Sequence, residues 1–168
     1  PGVGDKVETE HLATVPVVVA VPAGHRLAQH NVLSPADLEG EALAVLHRTS
    51  RYRAGIDQAF AAAGHPLAPS IEAPGFTLCD FVDRGQAIGI MGALSAWRCR
   101  HRAIVIVPLT PFVGWDIYLL RRRGAEPHPF VGAFRDELVR QIAVVSAALP
   151  APAPLSEAQA RRRRTRKT

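Results

Sequence analysis

Thr49-Ser50-Arg51 places two hydroxyls and a guanidinium between a short apolar run and a helical pattern. Free backbone amides and the helix dipole at such a junction favour an anionic or carbonyl oxygen, which the hydroxyls can hydrogen-bond. The same residues could instead cap the helix and leave Arg51 in water. Pro74-Gly75-Phe76 follows another apolar run, and the carboxyl ends of parallel strands are where open α/β sheets take ligands. Phe76 would supply an apolar wall or a stacking ring there, or a hydrophobic staple for the next helix. Gly89-Ile90-Met91-Gly92 offers a backbone that a ligand can approach closely, or only an eased strand exit. Met91 and Leu94 have the character of core residues, and Trp97 and Trp115 read as packing rather than sensing.

These groups suit binding better than reaction. Ser95 in GALSAW lacks the G-x-S-x-G elbow, and the spacing of Gly85, Gly89 and Gly92 misses the dinucleotide fingerprint. Cys99-Arg100-His101 with the distant Cys79 is a weak zinc pattern, so no metal and no cofactor is expected. No nucleophile, base and orienting acid are brought together by spacing, which argues against an enzyme. Arg98, Arg100, His101 and Arg102 form a basic cluster that could draw an acidic ligand or merely face water.

The elements that must hold these residues follow from hydrophobic pattern. Val15 to Val21 is apolar on both faces, as in a strand buried within a parallel sheet. Ser34-Pro35-Ala36-Asp37 reads as a capped helix start stopped by Gly40. Leu43 to Leu46 is a second strand, followed by a helix with Ile56, Ala59, Phe60 and Ala63 on one face and ended by Gly64 and Pro66. Ser70 to Ala73 is a third strand, Thr77 caps a helix carrying Leu78, Phe81 and Val82 inward, and Ala87 to Met91 is a fourth strand. This βαβαβ alternation predicts a parallel α/β sheet. Ile104 to Val107 and Ile117 to Leu120 are expected in a different sheet. Phe130 to Val145 is an amphipathic helix with Phe134, Leu138, Ile142 and Val145 aligned.

The 168 residues carry a formal charge of +5, but six positive charges lie between Arg161 and Lys167. The remaining body is near neutral, so the basic balance does not mark a nucleic-acid-binding fold. Residues 149–168 read as a disordered basic tail. That tail could bind polyanions without sequence preference, although it lacks aromatic residues for base stacking. Two cysteines, Cys79 and Cys99, supply neither a dense disulfide framework nor a CxxC motif, which leans toward a reducing compartment. The run Val15 to Val21 is too short to cross a bilayer, and no membrane association is expected. Beginning at Pro1 without Met, the chain is expected to be a fragment or a processed product.

The order of VPVVVAVPAGHRLA, SPADLEG, LAVLHRTSRYRAGIDQAFAAAG, SIEAPGFTLCDFVDRGQAIGIMG and IVPLTPFVGWDIYLLRRRG resembles the effector-binding domain of LysR-type transcriptional regulators. The likeness spans most of residues 12–145. It implies an α/β fold like the type II periplasmic solute-binding proteins, in which the chain crosses twice between two subdomains. Here residues 23–99 would form one complete βαβαβ subdomain. Residues 1–22 and 100–148 would form an incomplete second one, lacking its first βαβ stretch and the N-terminal winged helix-turn-helix.

The resemblance further implies effector contacts at Thr49, Ser50 and Arg51, and the strand-end and glycine readings add Pro74, Phe76, Gly89 and Met91 to the expected effector site. The partners would be a small-molecule effector, of the organic-acid kind, and further copies of the chain in a cytoplasmic dimer or tetramer. DNA would be read only through the helix-turn-helix. A transport-associated solute-binding protein is the alternative within the same fold. Because one wall of the cleft would be incomplete, exposed apolar sheet and helix surface is expected.

Overall fold

The computed structural model describes residues 6–124 and 128–149. The elements run β1 (Val7–Pro22), β2 (Leu43–Leu46), α1 (Arg53–Ala62), β3 (Ile71–Ala73), α2 (Gly75–Asp83), β4 (Ile88–Gly92), α3 (Ala93–Arg98), β5 (Ile104–Pro108), β6 (Gly114–Arg122) and α4 (Pro129–Ala148). Short 3-10 turns at Arg26–Gln29 and Pro35–Leu38 follow β1. The second starts as its sequence indicates. The Asp37 carboxylate accepts from the Ser34 amide at 2.7 Å and the Ser34 hydroxyl at 2.6 Å, which holds it below the ordinary aspartate range.

The main sheet has the order β3-β2-β4-β1-β5, with β6 paired to β1 off this path. Strands β2, β3 and β4 are mutually parallel, as the βαβαβ pattern requires. The crossing strand β1 corrects an expectation: it runs antiparallel to β4, β5 and β6 rather than parallel. Its two-sided burial is nonetheless real. Val17, Val19 and Val21 face one core, shared with Ile56 and Phe60 of α1. Val18 and Ala20 face the other, shared with Leu78 and Val82 of α2 and Ile142 of α4. Burial on both faces of a strand follows from helices covering both sides of a sheet, whichever direction the strand runs.

Strand β5 is a second correction. It pairs with Val18–Pro22 of β1 and so joins the sheet of β2, β3 and β4 instead of a different one. Strand β6 pairs along Val7–Pro16 of β1, off the path of the other five strands. The changeover falls at Pro16, which has no amide hydrogen to give a ladder, and the next amide, Val17, donates to the Val113 carbonyl at 2.7 Å. Helix α2 begins at Gly75 with Pro74 as its cap, not at Thr77, whose hydroxyl donates back to the Pro74 carbonyl at 2.8 Å. Cys79 and Cys99 are joined in a disulfide, which the lean toward a reducing compartment did not anticipate. A separation of 20 residues gives no local pattern from which that pairing could be read.

Exposed apolar surface is present where β6 and α4 meet solvent. Tyr118 and Leu120 on β6 and Phe130, Phe134 and Val144 on α4 are exposed. The expected inward stripe of α4 therefore holds only over its later turns, at Ile142 and Val145, with Leu138 partly packed. The basic tail expected over 149–168 lies outside the described residues except for Leu149, which is buried.

The segment between β2 and α1 is held by a buried cation. Arg53 is 1% exposed, and its guanidinium donates to the Leu46 carbonyl at 2.8 Å, Glu72 at 3.0 Å and Asp57 at 2.8 Å. Glu72 also accepts from the Arg48 amide and side chain. Arg53 thus ties the end of β2, the start of α1 and β3 into one unit. Its donors also satisfy the Leu46 carbonyl at the end of β2.

Val19→Ala, at a fully buried position in the central strand, is expected to cost about 2–3 kcal/mol in urea unfolding. Leu120→Ser on the exposed β6 should cost under about 1 kcal/mol. Arg53→Met, which strands the Leu46 carbonyl, should cost about 1–3 kcal/mol. The hydrogen bond from Arg53 holds the Glu72 carboxyl below the ordinary glutamate value of 4.5. A depressed folded-state value stabilises above the unfolded pKa and is lost as pH falls through the folded one. The Glu72 contribution should therefore fade below about pH 4.5, and Glu72→Gln should flatten the acid limb of a stability-versus-pH curve.

Candidate functional site

The carboxyl ends of the parallel strands β2, β3 and β4 open onto a cavity of about 700 Å³. Each strand end contributes. Leu46 closes β2, Gly75 and Phe76 start the helix after β3, and Gly92 ends β4. Helix α3 follows Gly92 directly and adds Leu94, Ser95 and Arg98, with Cys99 just beyond. Trp115 and Ile117 come from β6 across the changeover in β1.

The apolar wall depends on two close approaches. A Cβ built on Gly92 would lie 2.1 Å from Cζ2 of Trp115, so the indole can cross the end of β4 only because that residue is glycine. Pairing of Val17 with Gly92 and of Val15 with Trp115 along β1 brings the two together. The Trp115 ring also meets Tyr52, with centroids 4.4 Å apart and planes tilted by 34°. A second glycine, Gly75, lets Ser95 approach, its Oγ lying 3.3 Å from where a Cβ would stand. Phe76, 70% exposed, stands as an unpacked ring at the cavity.

The polar wall carries two arginines in different states. Arg102 pairs with Asp80, whose carboxylate raises the basicity of the guanidinium further. Arg98, exposed at the last turn of α3, has no hydrogen-bond or ion-pair partner among the described residues. Arg100 instead lies over the Trp97 ring at 4.3 Å, so the basic cluster divides into separate roles. A cavity with an aromatic side and one uncommitted guanidinium can take a small molecule bearing both an apolar body and an anionic group.

Of the residues expected at a site, Phe76 lines this cavity directly and Pro74 caps the helix that presents it. Thr49, Ser50 and Arg51 lie in the neighbouring turn that ends at Tyr52. There the Ser50 hydroxyl accepts from the Tyr52 amide at 3.4 Å, and Thr49 meets Nδ1 of His47 at 2.9 Å. Arg51 is exposed. Gly89 and Met91 are not brought to the cavity. Met91 is fully buried, and a Cβ on Gly89 would meet Met91 Cε at 2.6 Å, so this pair packs the core. Gly92, one residue on, is the glycine that reaches the site. The strand-end rule could have found Gly92, whereas Trp115 depends on a long-range register that leaves no local pattern.

A family model described as the LysR substrate binding domain matches residues 1–143. The regulatory protein NocR of Agrobacterium tumefaciens is 29% identical over 132 residues, covering 78% of this chain and 44% of that protein. The transcriptional activator protein LysR of Escherichia coli is 28% identical over 132 residues, covering 78% of this chain and 42% of that protein. The chain thus spans less than half the length of these relatives. Among solved structures, the effector binding domain of QuiR in complex with shikimate superposes with a TM-score of 0.64 at 22% identity. That match covers 83% of this chain and 66% of the other. With a family match over most of its length, the chain belongs to the LysR substrate-binding-domain family.

Proposed function

We propose that this chain is the effector-sensing domain of a LysR-type transcriptional regulator and that its effector is a small organic acid. The observation that carries this reading is the cavity at the carboxyl ends of β2, β3 and β4. It joins the Phe76 and Trp115 rings to the uncommitted guanidinium of Arg98. The acid's carboxylate would take a charge-assisted hydrogen bond from Arg98, and its carbon body would lie against Phe76 and Trp115. Shikimate, the ligand of the QuiR domain, is a cyclic carboxylate of this kind.

The turn from Thr49 to Arg51 serves the site by placing Tyr52, and Thr49 and Ser50 add hydroxyl donors at its edge. Pro74 serves by presenting Phe76, and Gly89 and Met91 by fixing the β4 backbone that leads to Gly92. The two subdomains are residues 23–99, and residues 1–22 together with 100–148. An effector that binds one relative orientation better shifts the population toward it. The regulator works without catalysis, in the cytoplasm, as a homo-oligomer whose helix-turn-helix domains hold DNA.

Thermal-shift and calorimetric titration of the chain with shikimate and a panel of small carboxylates, each beside its neutral amide, tests this reading. A carboxylate is expected to bind where its amide does not, and Arg98→Gln should weaken it about tenfold or more. Phe76→Ala should weaken it while leaving the fold intact, because the ring is exposed. Gly92→Ala, which drives Trp115 from its place, should eliminate binding. Thr49→Ala with Ser50→Ala should reduce affinity without unfolding the chain. Indifference of every bound carboxylate to Arg98→Gln and Phe76→Ala would place the site elsewhere.

A further inference from the structure

The disulfide between Cys79 and Cys99 lies in the wall of the cavity, not in a remote part of the core. Helix α2 carries Phe76 and Asp80 to the site on either side of Cys79. Helix α3 carries Ser95 and Arg98, and Cys99 caps its end and lines the cavity itself. The bond therefore ties the helix bearing the exposed ring to the helix bearing the uncommitted guanidinium. Cys79 is fully buried beside Met91, whereas Cys99, 7% exposed, lines the cavity. The Ser95 carbonyl lies 3.4 Å from Cys99 Sγ and 3.9 Å from Cys79 Sγ, where it can accept from either group as a thiol. The separated state thus has its hydrogen-bond acceptor already in place.

We propose that Cys79 and Cys99 form a reversible thiol–disulfide couple that regulates the effector cavity; this rests on the cavity being the effector site. The co-reactant is a low-molecular-weight thiol and its disulfide. A small thiolate enters the cavity and attacks Cys99 Sγ. The Cys79–Cys99 bond breaks, the electron pair goes to Cys79 Sγ, and that sulfur takes a proton. A second small thiolate attacks the mixed disulfide at its own-kind sulfur, releasing the small disulfide and leaving Cys99 as a thiol. Two electrons and two protons pass from the small thiols to the protein, and oxidation reverses each step. With the bond open, α2 and α3 are no longer held at one spacing, and the site loses preorganisation.

The experiment equilibrates the full chain in glutathione buffers of varied ratio, counts free thiols by alkylation and intact mass, and titrates each state with 1-anilinonaphthalene-8-sulfonate, an aromatic anion. Two free thiols are expected in excess reduced glutathione and none in excess glutathione disulfide, with the same protein cycling between them. The reduced chain should bind the dye about fivefold more weakly than the oxidised chain. Cys79→Ser with Cys99→Ser should match the reduced chain in both buffers. A bond that resists excess reduced glutathione in the folded chain, or never forms in excess glutathione disulfide, overturns the proposal. So does equal dye affinity in both states. Arg98→Gln separates the two levels. Redox-independent affinity that still falls in this variant refutes the couple and keeps the site, whereas affinity unmoved by the variant refutes the site and the couple together.

Discussion

Everything at the site depends on one strand being shared. Residues Val17–Pro22 of β1 are hydrogen-bonded between β4 and β5, with side chains driven into cores on both faces. Residues Val7–Pro16 of the same strand pair with β6. The backbone cannot break between these parts without losing both sets of pairing, so the register on one side fixes the position of the other. Val15 opposite Trp115 and Val17 opposite Gly92 are that register made visible. An aromatic ring from beyond the main sheet is thereby set over the end of β4. A glycine there is the steric condition that permits it.

Much of the fold could be read from the sequence because its determinants are local. The βαβαβ unit, the glycine stops and the Ser34–Asp37 cap depend on residues a few positions apart. Direction and sheet membership were not legible. A strand apolar on both faces, such as β1, carries no mark of parallel or antiparallel pairing, and a short apolar strand such as β5 carries no mark of the sheet it joins. Site residues divided the same way. Phe76 followed from the strand-end rule, while Trp115 required the register of distant strands. Arg53 was missed despite a local signal, since its spacing from Ile56 and Phe60 puts it on the buried face of α1. A buried cation at such a place organises a loop, and the neighbouring exposed Arg51 does not.

The charges at the cavity fall into committed and uncommitted groups. Arg102 is committed to Asp80, and Arg53 is committed to Glu72, Asp57 and the Leu46 carbonyl. Paired cations hold structure and contribute little field. Arg98 has no such partner among the described residues and stands at the rim of an aromatic-walled space. In the proposed function, selectivity for a carboxylate would come from one uncommitted group placed by a short helix, rather than from a large positive patch. Because the walls come from both sides of the β1 changeover, an occupant that touches Phe76, Arg98 and Trp115 together bears on the orientation of the two sides.

A crystal structure of the chain with its tightest-binding carboxylate tests this account most directly. Ligand density is expected between Phe76, Arg98 and Trp115, with the carboxylate on the Arg98 guanidinium and the indole still over Gly92. Density at another surface, with this cavity holding only water, would contradict it.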